Sequence, residues 1–353
     1  MIVLTGDERD ARACGAVVAI GNFDGVHRGH QALIERAIAT ARAHAKPAGV
    51  IVFEPHPREF FVPSEPHFRL TPLCEKLRLF KSMGLDAVRV LTFDAGLSQM
   101  SADAFIKSVL VDDLAISGAV VGYDFFFGHK RAGTPQMLAD AGTRLGFSVE
   151  IVPPVAELGE VFSSTAVRLK LAEGDFAGAA DSLGRWWRVT GTVVGGAKRG
   201  TVMGYPTANV PIPKGTALAH GIFAVKVAIG DAQSQGAIGD AQSQGAIGDA
   251  QSQIAIGDAP SQETLDDGWH DGAAYLGTRP TFDDGMPVLE VFLFDFDGDL
   301  YGKTIAVEFI AFLRGDRKFG TMEALVAQME LDVAKAREVL AAISSPRPSR
   351  GEG

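Results

Sequence analysis

Short apolar runs alternate with helically spaced ones through the first half of the chain. Val17–Ile20, Gly49–Phe53, Ala87–Phe93, Gly118–Val121 and Ser148–Ile151 are β-rich runs. Gln31–Ala45, Cys74–Met83, Ser101–Leu110 and Thr134–Leu145 carry apolar residues at helical spacing. Strands separated by helices predict an α/β unit with a parallel sheet covered on its faces. Ligands of such a sheet lie outside the carboxyl ends of the strands, where Gly21–His30, Glu54–Phe61 and Gly122–Gly133 would converge.

After Leu183 the pattern changes. Trp187–Val194, Gly221–Ile229, Gly272–Leu276, Val288–Phe296 and Thr304–Phe312 are separated by Gly, Pro and Asp turns, which predicts an antiparallel all-β barrel or sandwich. From about Thr321 to Ile343, Met322, Leu325, Met329, Val333 and Leu340 form one apolar helix face, expected to close a side of the β structure. The expected division is 1–183, 184–343 and a frayed tail at 344–353. A nonapeptide, GDAQSQGAI, begins at Gly230 and Gly239 and again at Gly248, where Ile254 replaces its second Gly, and a truncated copy begins at Gly257. It lacks the paired glycines and regular acidic ligands of calcium-binding rolls, so the insertion at about 230–263 reads as an expanded surface loop without chemistry.

The chain has 353 residues, 46% hydrophobic and 22% charged, which suits two globular domains. A net charge of −10 argues against a nucleic-acid coat, which needs clustered cations, and leaves room for local anion sites. Cys14 and Cys74 are too few for a disulfide framework and lack metal-ligand spacing. No signal-like or membrane-spanning apolar segment is visible, so the expected setting is soluble and cytoplasmic.

Gly21-Asn22-Phe23-Asp24-Gly25-Val26-His27-Arg28-Gly29-His30 reads as strand, Gly-rich turn and helix start. Glycines admit a ligand close to the backbone, and the first helical turn offers unpaired N–H groups and a positive dipole end. Gly21, Asn22, Asp24 and Gly29 are candidate nucleotide-contacting positions, with His27 and His30 as donors to charge that develops when pyrophosphate leaves. This stretch resembles the signature of the nucleotidyltransferase superfamily, and in particular that of the bacterial bifunctional riboflavin kinase/FAD synthetases.

Further segments carry the resemblance in the same order. Phe53-Glu54-Pro55-His56-Pro57, with Phe60 and Phe61, resembles the family's FxPHP segment, which implies a border to the flavin. Gly122–Gly128 resembles GxDFxFG, with Asp124 as its polar candidate at the flavin. Ser163-Ser164-Thr165 and Arg168 resemble SSTxxR, which implies hydroxyls and a guanidinium on ATP phosphates; a helix cap is the simpler alternative.

In the second half, Gly195–Gly200 is glycine-rich and basic, with Lys198 at its centre, and it fails as a Walker A loop because Thr201 stands where Lys is required. Gly195, Lys198 and Gly200 are candidate phosphate-cradling positions. Gly204–Asn209 resembles the GxPTAN motif of riboflavin kinases, which implies Thr207 and Asn209 near Mg²⁺ and ATP. Alternation places Glu290 on one strand face with Phe292 and Phe294, opposite Leu289, Val291 and Leu293. A carboxylate in such company has raised proton affinity, which suits a general base, and the resemblance implies that it acts on the 5′-hydroxyl of riboflavin. Asp297-Gly298 reads as a hairpin turn, and Arg314 in the LRxxxKF-like segment is expected near the flavin.

The resemblance implies two reactions, riboflavin to FMN in the second domain and FMN to FAD in the first, each using ATP with Mg²⁺. Riboflavin, FMN and ATP are the expected partners, with no nucleic acid or membrane, and the oligomeric state is left open. A single-activity enzyme with one scaffold domain and a noncatalytic flavin-binding protein are the alternatives.

Overall fold

Strand Val17–Ile20 is buried at every position, and Ala48–Val52 in the strand beside it likewise, because helices cover both faces of their sheet. The computed structural model describes residues 1–157, 160–195, 205–213, 215–230, 265–278 and 287–344. Lys198, Gly200, the repeat after Gly230 and the tail from 345 therefore lie outside the described residues. Contacts divide the chain into two units, Met1–Val167 with Ser182–Gly184, and Arg168–Asp181 with Arg185–Gly353.

The first unit holds six strands, β1 Ile2–Thr5, β2 Val17–Ile20, β3 Ala48–Glu54, β4 Ala87–Thr92, β5 Gly118–Gly122 and β6 Ser148–Val152, in the order β1-β4-β3-β2-β5-β6. Every pairing is parallel. The order reverses between β2 and β5, which opens a crevice at their carboxyl ends. The helices are α1 Arg28–Ala43, α2 Pro57–Phe61, α3 Leu73–Ser82, α4 Ala95–Gln99, α5 Ala102–Ala104 and α6 Pro135–Leu145. Helix α1 buries Ile34, Ala37 and Ala41 at spacings of three and four. It starts at Arg28, ahead of the expected Gln31, because the His27 ring accepts from the backbone N–H of His30 and caps the first turn.

Two local features depart from expectation. Strand β1, only four residues long, adds an edge to β4. The helix expected at Ser101–Leu110 passes into a π-helix at Phe105–Asp113, and the five-residue step from Phe105 to Leu110, both buried, follows that wider turn.

A small hairpin, β7 Ala156–Glu157 with β8 Glu160–Val161, precedes α7 Ser164–Glu173 and α8 Phe176–Leu183. Phe176 of the second unit packs 5.5 Å from Phe223 and 5.6 Å from Phe309, ring centre to ring centre. That unit's strands are β9 Arg188–Thr192, β10 Ala208–Pro211, β11 Gly221–Gly230, β12 Leu265–Thr278, β13 Pro287–Leu293 and β14 Thr304–Gly315. They run antiparallel in the order β10-β13-β12-β11-β14-β9, and a bridge between Val194 and Asn209 nearly closes them into a barrel. Leu289, Val291 and Leu293 fill the interior, which places Glu290, Phe292 and Phe294 on the other face. Helix α9, Met322–Ser344, covers much of that face through Ala336 and Leu340 against Ala224, Phe294 and Ile310.

The expected hairpin at Asp297-Gly298 is not one. Strand β13 pairs with β10 and β12, and β14 with β11 and β9, so the connection joins strands that are not neighbours. Its sharp turn is at Asp295, φ 53°, whose carboxylate accepts from both terminal nitrogens of Arg337 at 2.8 and 2.9 Å.

Candidate active sites

In the first unit the turn between β2 and α1 is wound tightly. Phe23, Gly25 and Val26 all have positive φ, at 48°, 87° and 43°. For a β-branched residue this is a strained conformation, of the kind that surrounding structure maintains at ligand sites. Phe23, fully buried, is the wedge, with its ring edge-on to His30 at 5.2 Å and to Phe80 at 5.8 Å. The rings of His27 and His30 stack with centroids 3.7 Å apart and planes at 22°. Because His27 Nδ1 accepts from the His30 N–H at 3.3 Å, the neutral ring carries its proton on Nε2 and offers a donor. Gly29 keeps the space beside the His27 ring open: a Cβ would lie 3.1 Å from that ring and 3.4 Å from the Phe162 carbonyl oxygen. Asn22 Oδ1 is buried with no hydrogen-bond partner, an acceptor left for a ligand donor.

Asp24, expected from sequence among the nucleotide-contacting positions, ties two loops together. It is 2% exposed, and its carboxylate accepts from the backbone N–H groups of Leu70 at 3.2 Å and Thr71 at 3.0 Å. Thr71 in turn takes the N–H of Gly25 at 3.0 Å.

The segment after β3 is anchored by buried charge. Glu54 accepts from Arg69 at 2.6 Å and from Lys76 at 3.1 Å, and Lys76 is 1% exposed. Arg69 also pairs with Glu59 of α2. Burial opposes the charge on Arg69, and the carboxylates of Glu59 and Glu54 more than offset it, so its pKa is raised. Burial, and then the neighbouring His67 ring 4.6 Å away, push the His56 imidazole down to about 4. Neutral His56 accepts from the Arg58 N–H at 3.2 Å and caps α2. The helix presents Phe60, half-buried, and Phe61, 62% exposed, in an edge-on cluster with Phe93. An exposed apolar ring pair at the end of a parallel strand is a surface for a planar ligand.

Ser163 caps α7 by accepting from the Ala166 N–H at 3.1 Å, and Ser164 donates to the Asp24 carbonyl at 2.7 Å. Both hydroxyls thus have structural partners, while Thr165 is exposed. Arg168, on the same helix, belongs to the second unit by its contacts. Asp124 is exposed at the end of β5.

In the second unit a row of residues crosses the barrel wall in direct register. Asn209 of β10 lies opposite Glu290 of β13, Glu290 opposite Tyr275 of β12, Tyr275 opposite Ile222 of β11, and Ile222 opposite Arg314 of β14. Residues directly opposite share a face, so Asn209, Glu290 and Tyr275 stand side by side. Asn209 is buried, Glu290 and Thr207 are half-buried, and Tyr205 packs edge-on to Phe292 at 5.2 Å. Gly195, the one described residue of the basic loop, follows the Val194 bridge to Asn209. Arg314 donates to both oxygens of Asp332 at 2.9 and 2.7 Å and lies over the Phe319 ring, so its fork is engaged with helix α9.

Thr207, Asn209 and Glu290 supply hard oxygen donors. Among the described residues no group of three or more His, Cys, Asp or Glu side chains could hold a metal ion by itself. This donor set fits Mg²⁺, which keeps several waters and takes further oxygens from substrate phosphates.

Sequence reasoning did not single out Lys76, Arg69, His67 or Tyr275. Lys76 has the pattern of an exposed residue on an amphipathic helix, and only its pairing with Glu54, 22 positions earlier, buries it.

A parallel sheet with a histidine-capped helix at its switch point, followed by a barrel bearing a carboxylate and an amide in register, is the arrangement of a two-unit protein with a candidate nucleotide site at the sheet's switch point. The FAD synthetase family profile matches residues 9–166 and the riboflavin kinase profile residues 183–340. A bifunctional riboflavin kinase/FMN adenylyltransferase of Pseudomonas fluorescens is 39% identical over 334 residues, covering 94% of this chain and 95% of that relative. Relatives of the same description in Escherichia coli (strain K12) and Listeria monocytogenes are 36% and 30% identical, each covering 92% of both chains. The chain belongs to the bifunctional riboflavin kinase/FMN adenylyltransferase family. A solved Streptococcus pneumoniae structure, described as a macrolide-efflux protein, shares the fold with a TM-score of 0.74 at 27% identity over 96% of this chain and 99% of its own. Among the described residues no helix is long and apolar enough to cross a membrane.

Proposed function

We propose that the second unit phosphorylates riboflavin with ATP to give FMN and ADP, and that the first unit transfers AMP from a second ATP to FMN, giving FAD and pyrophosphate. In the kinase step the 5′-hydroxyl of riboflavin attacks the γ-phosphorus, its proton passes to Glu290, and ADP leaves. Thr207 and Asn209 would hold Mg²⁺, which when bound neutralises charge on the phosphates. The observation that carries this assignment is the register of Asn209 against Glu290, which sets a metal-side amide beside the base.

In the transfer step a phosphate oxygen of FMN bonds to the α-phosphorus of ATP as the bond to pyrophosphate breaks. No protein nucleophile is required. The α1 N-terminus and the Nε2–H of His27 stabilise the charge gathering on the leaving group, and Phe60 and Phe61 take the flavin ring. The protein acts in the cytoplasm, a reading supported by its two free thiols, Cys14 and Cys74.

The test is incubation of the protein with riboflavin, ATP and Mg²⁺, followed by chromatographic separation of flavins. FMN should appear first and FAD after it; absence of both products overturns the reading.

A further inference from the structure

The segment that follows β5 holds a feature the assigned site does not use. His129, Lys130 and Arg131 are consecutive basic residues, and both Lys130 and Arg131 have positive φ, at 54° and 59°. Two adjacent side-chain-bearing residues in the left-handed region are uncommon, and such strain persists only where the surroundings fix it. Here they do. Phe127 and Gly133 exchange N–H···O bonds of 3.1 and 2.9 Å, closing the turn. His129 donates its N–H to the Met100 carbonyl at 2.7 Å. The turn is wedged on α5: a Cβ at Gly128 would lie 2.6 Å from the Ala102 nitrogen, and one at Gly133 2.8 Å from the Ala102 Cβ.

The fixed turn holds Lys130 and Arg131 exposed. Among the described residues neither makes an ion pair, although the chain as a whole has ten more acidic than basic side chains. Two like charges crowded side by side without a counter-ion fit an anionic ligand better than a structural role. Arg131 lies over the ring of Phe126, 5.4 Å from its centre, and Phe126 and Tyr123 are 44% and 49% exposed. The ring holds the guanidinium in place while its N–H fork faces outward, which suits a phosphate.

Topology places this turn on one side of the switch-point crevice. It follows β5, whereas the histidine-capped start of α1 follows β2, and β2 and β5 are paired neighbours. Leu33 of α1 lies 3.9 Å from the position of a Gly122 Cβ, so helix and strand end are in contact range. In-line transfer needs the attacking phosphate and the leaving pyrophosphate on opposite sides of the reacting phosphorus. With the α1 terminus on the leaving-group side, an anion site on the β5 side belongs to the attacking group.

We propose that Lys130 and Arg131 bind the 5′-phosphate of FMN and hold it for attack, which makes them the contacts that separate FMN from unphosphorylated riboflavin at this site. This rests on the adenylyltransferase reading of the first unit.

The test is the rate of FAD formation from supplied FMN and ATP in the full chain, comparing wild type with Lys130→Asn/Arg131→Asn, since Asn tolerates positive φ. The KM for FMN should rise about tenfold or more, as expected for loss of charge-assisted phosphate bonds. The KM for ATP should stay within about twofold, and the wild-type increase of the FMN KM with salt should flatten in the variant. Lys130→Gly/Arg131→Gly, in which positive φ costs nothing, is a second variant with the same expected result. An unchanged FMN KM in either variant, or an ATP KM that rises as much as the FMN KM, overturns the proposal. No FAD from the wild-type chain would instead overturn the adenylyltransferase reading on which it rests.

Discussion

His27 and His30 lie ring on ring, 3.7 Å between centroids, and the residue that permits it is Gly29, which keeps the space beneath His27 clear. A methyl at position 29 meets the imidazole at 3.1 Å and displaces it from its bond to the His30 N–H. Gly29→Ala is therefore expected to slow FAD formation from FMN by about tenfold, less than the hundredfold that goes with a full ångström of misplacement. FMN formation from riboflavin should be unchanged. Initial rates of the two reactions, measured separately, check this.

Buried Lys76 is expected to matter for stability more than its position on a helix suggests. Lys76→Met leaves Glu54 buried with Arg69 as its remaining cation partner, and breaking such a pair costs about 3–5 kcal/mol. Urea unfolding followed by a probe in the first unit should show that loss. Glu54→Gln combined with Lys76→Met should recover part of it, because the buried carboxylate that lost one of its two cation partners is gone.

The depressed pKa of His56 gives acid sensitivity with a defined sign. The folded imidazole takes its proton at about 4 against 6.5 for the free group, so between those values the unfolded chain binds more protons. The contribution is complete above pH 6.5 and is lost as pH falls toward 4. His56→Asn keeps a cap acceptor for the Arg58 N–H and removes the titrating ring. The fall in first-unit stability between pH 6.5 and 4 should be shallower in this variant, as read from unfolding midpoints across that range.

Periodicity and turn chemistry reached a good part of this molecule. Apolar strands between helices led to the parallel sheet, and the turn before Gln31 led to His27 and His30, since both signals are local. Alternation through Leu289–Phe294 set Glu290 on one strand face without saying which; the interior packing of Leu289 and Val291 decides it. What escaped depends on distant partners. The pairing of Arg314 with Asp332 joins a strand to a helix 18 positions on. Asp24 meets Leu70 and Thr71 across 46 and 47 positions. Asp297-Gly298 has hairpin composition, yet β12 and β11 lie between the strands it connects, and no local pattern encodes that order.

The separability of the two sites is the claim on which the account turns. The most direct measurement is the pair of rates, FMN from riboflavin and FAD from supplied FMN, in Glu290→Gln and in His27→Asn, which keeps an N-cap while removing the imidazole. Glu290→Gln should lose FMN formation by at least about a hundredfold and retain FAD formation, while His27→Asn should do the reverse. Equal loss of both activities in either variant would contradict the account.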